Sequence, residues 1–173
     1  MIRRLEERDF DAVTHIVNTN WKSVYTGYVA PDLLSEAGCA RRRARLRSDF
    51  MERRLDEYVW EENGQVLALL SAGDTADTDR PSAFEVWRLY IAPAVQGRGI
   101  GRRLLTFAEN LAVQRGYRET LIWAFSGNRG AIAFYQKCGY RIEKEEYLGE
   151  PYFAYGTRLL KAISADWKTS CRT

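Results

Sequence analysis

The chain has 173 residues, of which 46% are hydrophobic and 28% charged, and its 26 basic against 23 acidic residues give a net charge of +3. This composition is typical of one soluble globular domain, residues 1–173, whose core needs no disulfide or metal. The mildly basic charge is weak support for nucleic-acid binding and is compatible with a small anionic ligand. We therefore expect no nucleic-acid partner.

The cysteines and the apolar runs restrict the compartment. Cys39, Cys138 and Cys171 are odd in number and far apart, without a CxxC pair. They indicate neither a disulfide framework nor a zinc site, so we expect no metal and a reducing compartment. No apolar run approaches the ~18 residues of a membrane span, and MIRRLEERDF lacks the apolar core of a secretion signal. The sequence therefore predicts a cytoplasmic protein without a membrane partner.

The N-terminal part is predicted to contain one strand and then two helices. MIRRLEERD alternates enough for a strand, and Asp9 or Asp11 can cap a helix through DAVTHIVNTNWKSVY. Pro31 opens a second helix near PDLLSEA, and Gly38 is expected to stop or kink it.

An arginine-rich run over residues 40–54 is expected to continue the second helix. As a helix it interleaves Leu46 and Phe50 with arginines. This pattern indicates either a solvated amphipathic face or a docking patch.

The middle of the chain contains the clearest hairpin. Two β-rich runs in DEYVWEENGQVLALLSAG are joined through the turn Asn63-Gly64. A polar loop, DTADTDRPS, leads to the strand AFEVWRLYIAP, which ends at Pro93. A helix then runs from Gly99 or Gly101 to Gly116, with an apolar stripe at Leu104, Leu105, Ala108, Leu111 and Ala112.

The C-terminal part alternates again. YRETLIWAFS reads as a strand, NRGAIAFYQKCG as a short helix ending on Gly139, and YRIEKEEYLGEPYFAYGTRLL as a pair of strands. No element is predicted for the tail ISADWKTSCRT. The order β–α–α–β–β–β–α–β–α–β–β predicts a mixed sheet with helices on its faces.

The turn VQGRGIGRRLL, residues 95–105, runs from a strand into an apolar helix. Such a turn directs unpaired backbone N–H groups and the positive end of the helix dipole at one point, where a phosphate fits. Glycines at 97, 99 and 101 let a ligand approach without a Cβ in the way. A glycine-rich turn without any ligand is the alternative interpretation.

Two common phosphate loops are excluded. The sequence has no GxxxxGK[ST], so this turn is not a P-loop. A GxGxxG pattern starting at Gly97 would need a glycine where Arg102 stands. The turn also lies past the middle of the chain, whereas the Rossmann fingerprint follows the first strand. A kinase or a dehydrogenase is therefore disfavoured.

The segment Gln96-Gly97-Arg98-Gly99-Ile100-Gly101 resembles the Q/R-x-x-G-x-G/A signature of the GCN5-related N-acetyltransferase (GNAT) superfamily. SGNRGAIAFYQKCGYR is similar to that family's N-x-x-A-x-x-F/L-Y-x-x-x-G-F/Y segment, and WKSVYTGYVAPDLL is more weakly similar to its W-x-x-x-Y-x-G segment. The strong resemblance covers about residues 84–142.

The resemblance implies an α/β fold of α+β type, with a mixed, mostly antiparallel sheet of about seven strands flanked by about four helices. It also implies transfer of acetyl from acetyl-CoA to a primary amine of a small molecule or a peptide, by direct attack in a ternary complex. A non-catalytic acyl-CoA-binding or regulatory module on the same fold is the alternative. A homodimer is compatible with either.

The family's cofactor contacts transfer to this chain position by position. Backbone groups of Leu89, Tyr90 and Ile91 would bind the pantetheine arm, which extends the sheet like a short strand. A bulge nearby would separate this strand from TLIWAF and open the cleft. Asn128 would bind the arm from the other side. The pyrophosphate would be held by Gln96, Gly97, Arg98, Gly99, Ile100, Gly101 and Arg102.

Two side chains are candidates for the proton transfers. The resemblance implies that Tyr135 lies near the thioester sulfur, where a phenol can protonate the leaving thiolate. Glu85 stands six residues before Ile91, where several members carry a glutamate base. Even spacing predicts Glu85, Trp87, Leu89 and Ile91 on one face of the strand. Each candidate has a structural alternative, as a core tyrosine and as an exposed strand-end glutamate.

The acceptor side is predicted to be aromatic, with Trp21, Tyr25, Tyr28 and Tyr152 as candidate contacts. An ordinary core would also contain such residues. The ribosomal-protein N-terminal acetyltransferases carry a glutamate on the next strand, where this chain has Trp123, so their particular arrangement is not expected here.

Overall fold

The computed structural model describes residues 1–164, so Cys171 and most of the tail lie outside the described residues. The strands are β1 (Ile2–Arg4), β2 (Asp56–Glu62), β3 (Gln65–Asp74), β4 (Phe84–Ile91), β5 (Glu119–Phe125), β6 (Arg141–Leu148) and β7 (Ala154–Ala162). The α-helices are α1 (Phe10–Val24), α2 (Glu36–Met51), α3 (Ile100–Gln114) and α4 (Arg129–Lys137). Single 3-10 turns span Glu7–Asp9, Pro31–Leu34 and Pro93–Val95.

The seven strands form one mixed sheet in the order β1-β2-β3-β4-β5-β7-β6. Every neighbouring pair is antiparallel except β4 and β5, which are parallel. One apolar cluster packs α3 and α4 on one face of the sheet, and a second packs α1 and α2 on the other. The expected fold, with about seven strands and four helices, is confirmed.

The β2–β3 hairpin has the predicted turn. Asn63 and Gly64 have φ values of 51° and 76°, the left-handed pair that a tight hairpin turn requires. Their identities explain why this hairpin is readable from sequence alone.

The prediction that Gly38 stops or kinks the second helix is wrong. The break falls earlier, at Ser35, whose hydroxyl accepts a hydrogen bond from Gly38 N at 3.1 Å and caps α2. Gly38 lies inside the first turn, where a Cβ would come within 2.4 Å of the Leu33 carbonyl oxygen. The glycine is therefore needed for close approach rather than for a helix end.

Asp9 stands at the N-cap position of α1, but its carboxylate makes no cap bond to the helix. It accepts hydrogen bonds from the Arg3 guanidinium at 2.6 Å and from the Glu6 backbone N–H at 2.9 Å instead. These hydrogen bonds occupy the Asp9 carboxylate, so it does not cap α1 as expected.

The arginine-rich run continues α2 as far as Met51 and buries Leu46 in the cluster shared with α1. Its exposed arginines pair with acidic residues of neighbouring segments, for example Arg43 with Asp11 at 2.6 Å and Arg47 with Glu7 at 2.7 Å. Of the two interpretations, the solvated amphipathic face is the one that the structure supports, with its arginines in ion pairs. Among the described helices, none is long and apolar enough to cross a membrane.

Candidate active site

The two parallel strands at the centre of the sheet separate soon after they meet. β4 and β5 pair only at Phe84–Thr120 and Glu85–Leu121, while β4 keeps pairing with β3 as far as Ile91. Within residues 1–164, the β5-facing edge of β4 is therefore unpaired beyond Glu85. This edge opens onto a cleft of about 540 Å³.

A β-bulge shapes β4 where the cleft begins. Ser71 of β3 pairs with Arg88 and Ala72 pairs with Val86, which leaves Trp87 as the extra residue. The expected bulge is thus present, and it adds twist that turns β4 away from its neighbour.

The bulge also shifts the alternation of side chains along β4. Val86, Leu89 and Ile91 pack against the α3–α4 cluster, so Glu85 and Leu89 face opposite sides of the sheet. The prediction that Glu85, Trp87, Leu89 and Ile91 share one face is wrong, because one extra residue reverses the period of two.

Most of the predicted site residues line the cleft. The lining includes Tyr25, Leu89, Tyr90, Ile91, Gln96, Gly97, Gly99, Ile100, Gly101, Arg102, Asn128 and Tyr135. The lining does not include Glu85, Arg98, Trp21, Tyr28 or Tyr152.

The glycine turn presents a row of free donors. Gly97 and Gly99 have φ values of 79° and 81°, and a Cβ on either would meet no atom within 4 Å. In the described part of the chain, the N–H groups of residues 97–102 make no backbone hydrogen bond, and no side chain caps α3. This concentration of donors at a helix N-terminus suits a phosphate group.

The arginines of this turn differ in availability. Arg98 pairs with Glu62 at 2.9 Å, and Arg103 stacks over the Trp60 ring at 5.6 Å. Arg102 lines the cleft, and its guanidinium donates to the carbonyl of Lys137 at 3.3 Å. Within residues 1–164 neither Arg102 nor Lys137 pairs with a carboxylate, so both cations are available to an anion.

Lys137 was missed by sequence reasoning, although it also lines the cleft. It is the last residue of α4, and only the fold brings that end next to α3. The one sequence feature that could have indicated Lys137 is its position within the YQKCG part of the family-like segment.

Gln96 contributes to the shape of the turn. Its carboxamide donates to the Ile91 carbonyl at 3.2 Å and to Asn20 Oδ1 at 3.3 Å. Asn20 of α1 is buried, lines the cleft and was also missed. Its own carboxamide donates to the Ile91 carbonyl at 3.0 Å, so the two amides join the end of β4 to the glycine turn.

Asn128 caps α4 and faces the cleft. Its Oδ1 accepts from the Ala131 N–H at 3.1 Å. The carboxamide nitrogen is the part of this side chain that remains to donate to a bound molecule.

Tyr135 lies on α4 and is buried, with its side chain on the cleft wall. Burial raises the pKa of its phenol well above the ordinary value, and nearby Tyr90 adds to this effect. No hydrogen bond to its hydroxyl is found among residues 1–164. The phenol therefore stays protonated at neutral pH and is free to donate.

Glu85 lies behind the cleft rather than in its wall. Its carboxylate accepts from the Thr75 hydroxyl at 2.8 Å. Burial raises its pKa to about 7, against the opposing effect of the Thr75 hydrogen bond. The structure thus gives this carboxyl group the pKa of a neutral-pH base without direct access to the cleft.

The four predicted acceptor-side aromatics cluster around Phe125, which sequence reasoning missed. Ring centroids of Trp21, Tyr25, Tyr28 and Tyr152 lie 5.1–6.4 Å from that of Phe125. Tyr25 connects this cluster to the cleft, and the Trp21 indole N–H donates to the Tyr90 hydroxyl at 2.9 Å. The cluster is therefore continuous with the α1–α2 side of the site.

The chain is similar to known acetyltransferases in sequence. The Acetyltransferase (GNAT) family profile matches residues 16–140. An uncharacterized N-acetyltransferase of Methanocaldococcus jannaschii is 31% identical over 94 residues, which are 53% of this chain but only 41% of that protein. A spermidine N(1)-acetyltransferase of Thermoplasma acidophilum is 24% identical over 151 residues, covering 82% of this chain and 88% of the relative.

The fold is similar to that of solved acetyltransferases. The crystal structure of the PaiA N-acetyltransferase from Thermoplasma acidophilum, in complex with coenzyme A, superposes with a TM-score of 0.76. The superposition covers 94% of this chain and 98% of that one at 18% identity, which shows a shared fold. With the family profile covering most of its length, the chain belongs to the GNAT family of acetyltransferases.

Proposed function

We propose that this protein transfers the acetyl group of acetyl-CoA to a primary amine, by direct attack in a ternary complex. The observation that carries the proposal is the row of unpaired N–H groups over residues 97–102, at the end of a strand with a free edge. A pyrophosphate satisfies those donors, and an amide-bearing arm satisfies the strand edge.

The residues of the cleft fit acetyl-CoA along its length. The pantetheine arm would run beside Leu89, Tyr90 and Ile91, with the Asn128 carboxamide on its other side. The pyrophosphate would lie on residues 96–102, although Arg98 is engaged by Glu62 and contributes least. Lys137 and Arg102 add positive charge at the same end. When bound, the cofactor supplies a reactive acetyl thioester.

Tyr135 would hold the proton that the leaving sulfur receives. Its phenol has a raised pKa and no competing hydrogen bond within residues 1–164, so it enters the reaction protonated. A positioned acid of this kind contributes about 10²–10⁴-fold to the rate.

Glu85 would receive the proton of the attacking ammonium through intervening water. An ammonium with a pKa near ~10 must become neutral before it can attack. Among the described residues, the cleft lining holds neither a carboxylate nor a histidine, so the base in this proposal is the buried Glu85, which stands on β4 where that strand last pairs with β5. Its pKa of about 7 lets it accept a proton at neutral pH.

The acceptor enters from the α1–α2 side in this proposal, past Tyr25 and the aromatic cluster. The relative that is named a spermidine N(1)-acetyltransferase supports an amine as the acceptor class. Trp21, Tyr28 and Tyr152 would shape this side through Phe125 rather than touch the reacting atoms.

Calorimetry with acetyl-CoA tests the proposal through a matched pair of glycine variants. Gly99→Asp places a negative side chain where the pyrophosphate belongs, whereas Gly116→Asp places one in similarly open space past the far end of α3. Both positions have positive φ, so both variants carry a similar backbone strain. Only Gly99→Asp should weaken acetyl-CoA binding, by about 100-fold or more.

Turnover is then measured as free thiol released in the presence of an amine panel. Equal acetyl-CoA affinity in the two glycine variants would show that the cofactor binds elsewhere. Tight binding without amine-dependent thiol release would instead support a non-catalytic acyl-CoA-binding module.

A further inference from the structure

Trp123 of β5 lines the cleft where the two central strands separate. Trp123 lies two residues after Leu121, which is the last β5 residue that pairs with β4. The two side chains therefore lie on the same face of the sheet. Ile122 and Ala124 pack against the α3–α4 cluster, so the alternation of the strand directs Trp123 to the α1–α2 face. The indole is thus the first β5 side chain on the acceptor side of the opening.

The indole is fixed in place on several sides. Its N–H donates to Asp77 Oδ2 at 2.9 Å. A Cβ on Gly156 of the neighbouring strand would lie 3.2 Å from Trp123 Cε3, so this glycine packs closely against the ring. The Lys144 ammonium lies 5.4 Å from the ring centroid. A ring held in this way acts as a rigid wall rather than an adaptable contact.

Asp77 is itself held by Arg158, which is 0% exposed. The Arg158 guanidinium donates to Asp77 at 2.7 Å, to both Asp79 oxygens at 2.7 Å, and to Glu143 at 2.7 Å. A buried arginine is costly unless its donors are satisfied, and here three carboxylates satisfy them. The network therefore fixes the start of the β3–β4 loop and, through Asp77, the indole.

Among the described residues, the cations near the acceptor side of the cleft are already paired with carboxylates, as Lys144 is with Glu146 at 3.0 Å. Arg88 lines the cleft, but its guanidinium is bound by Asp49 and lies 3.4 Å from Glu57. The other cationic lining residues, Arg102 and Lys137, lie at the α3 N-terminal end. An amine that carries a carboxylate next to its reacting nitrogen would leave that group without a partner.

We propose that Trp123 determines acceptor specificity. It restricts the acceptor to a primary amine whose neighbouring carbon is unbranched and carries no carboxylate, as in an alkylamine or a lysine side chain. Except where the residue is glycine, peptide α-amines and free amino acids branch next to the nitrogen, and the indole excludes them. Asp77 and Arg158 are positioning residues for this wall. The proposal rests on the acetyltransferase function proposed above.

Two isomeric amines test the size of the opening next to the reacting nitrogen. n-Butylamine and sec-butylamine have the same formula and similar basicity and differ only in branching at that carbon. At saturating acetyl-CoA, we expect kcat/KM for n-butylamine to exceed that for sec-butylamine by about 100-fold, near the upper range for discrimination by a methyl-sized difference. Nα-acetyl-lysine amide should behave like the first isomer and alaninamide like the second.

Variants assign the discrimination to the indole. Trp123→Ala should lower the ratio between the isomers at least tenfold, mainly by gaining activity on sec-butylamine. Asp77→Asn keeps an oxygen that accepts from the indole N–H and should retain the ratio. Asp77→Leu removes that acceptor and should lose the ratio, with KM changing more than kcat. Calorimetry should give an unchanged acetyl-CoA affinity for all three, which also shows that each variant is folded.

The outcomes separate this inference from the proposed function. Equal activity of the parent enzyme on both isomers leaves the acetyltransferase function standing and overturns the role of Trp123. A parallel loss of activity on both isomers in Trp123→Ala would reduce the indole to a structural residue. If no amine of the panel is acetylated, the proposed function fails together with the inference.

Discussion

The Asn20 carboxamide donates to the carbonyl oxygen of Ile91 at 3.0 Å, and so joins the middle of α1 to the last residue of β4. Asn20 Oδ1 also accepts from Gln96 at 3.3 Å. One buried side chain thereby links the strand edge to the glycine turn, the two surfaces that would bind acetyl-CoA in the proposed function.

Replacing Asn20 should therefore weaken cofactor binding without touching the cofactor's reacting end. Asn20→Asp keeps the acceptor for Gln96 and loses the donor to Ile91. We expect the acetyl-CoA dissociation constant, measured by calorimetry, to rise about tenfold, which corresponds to ~1.4 kcal/mol. Asn18→Ala is the control, because Asn18 lies two residues before Asn20 on α1 but outside the cleft lining. Its side-chain oxygen accepts a hydrogen bond from Arg42 of α2. Equal effects of the two changes would show that Asn20 stabilises only the helix.

Tyr135→Phe keeps the ring in its apolar site and removes only the hydroxyl. We expect acetyl-CoA affinity within about twofold of the parent and kcat lower by about two to four orders of magnitude, the scale of general-acid catalysis. Tyr140→Phe is a matched control, since the Tyr140 hydroxyl shares a buried hydrogen bond of 2.9 Å with Thr120 on the same side of the sheet. The control should lose thermal stability and keep its turnover. Unchanged turnover in Tyr135→Phe, where chemistry limits the rate, would remove this phenol from the mechanism.

The raised pKa of Glu85 leads to a prediction of how activity depends on pH. A base must be ionised, so kcat/KM should rise with pH through the Glu85 pKa of about 7. Glu85→Gln should lose this limb and keep activity mainly at high pH, where free amine exists without help. Glu57 also has a pKa of about 7, but it stands on β2, which β3 separates from β4 in the sheet, so Glu57→Gln should keep the limb. A pH–rate profile for Glu85→Gln that overlays that of the parent enzyme would contradict the assignment.

The raised pKa of Glu57 leads to a prediction of how stability depends on pH. Burial raises its pKa from 4.5 to about 7, and its Oε2 has no partner within residues 1–164. The folded state therefore binds the proton more tightly than the unfolded state. The free energy of unfolding should fall as pH rises from about 4.5 to about 7 and then level off, with a loss of at most about 3 kcal/mol. Glu57→Gln should raise Tm at pH 8 and leave it nearly unchanged at pH 4.5. A Tm difference that is the same at both pH values would contradict this role.

The features that were predictable from sequence are those encoded by neighbouring residues. Asn63-Gly64 specifies its turn by backbone conformation alone, and the apolar stripe of α3 follows from one period over its 15 residues. Gly99 is readable for the same reason, because its left-handed φ belongs to the turn itself.

The features that were missed depend on contacts between distant segments. The face of Glu85 was wrong because a bulge at Trp87 depends on pairing with β3 and leaves no mark in the strand's own alternation. Gly38 was misread because the atom that it accommodates, the Leu33 carbonyl oxygen, belongs to the preceding 3-10 turn. Asn20 and Phe125 become site residues only once α1 packs across the sheet.

The seam of two residue pairs between β4 and β5 divides the sheet into two antiparallel halves, β1 to β4 and β5 to β7. Backbone hydrogen bonds knit each half internally, whereas the seam contributes few of its own. Amide hydrogen exchange should therefore distinguish the halves as separate cooperative units, with the unpaired stretch of β5 least protected at its β4-facing edge. A molecule that adds hydrogen bonds along the open edge would couple the units and raise the protection of both together.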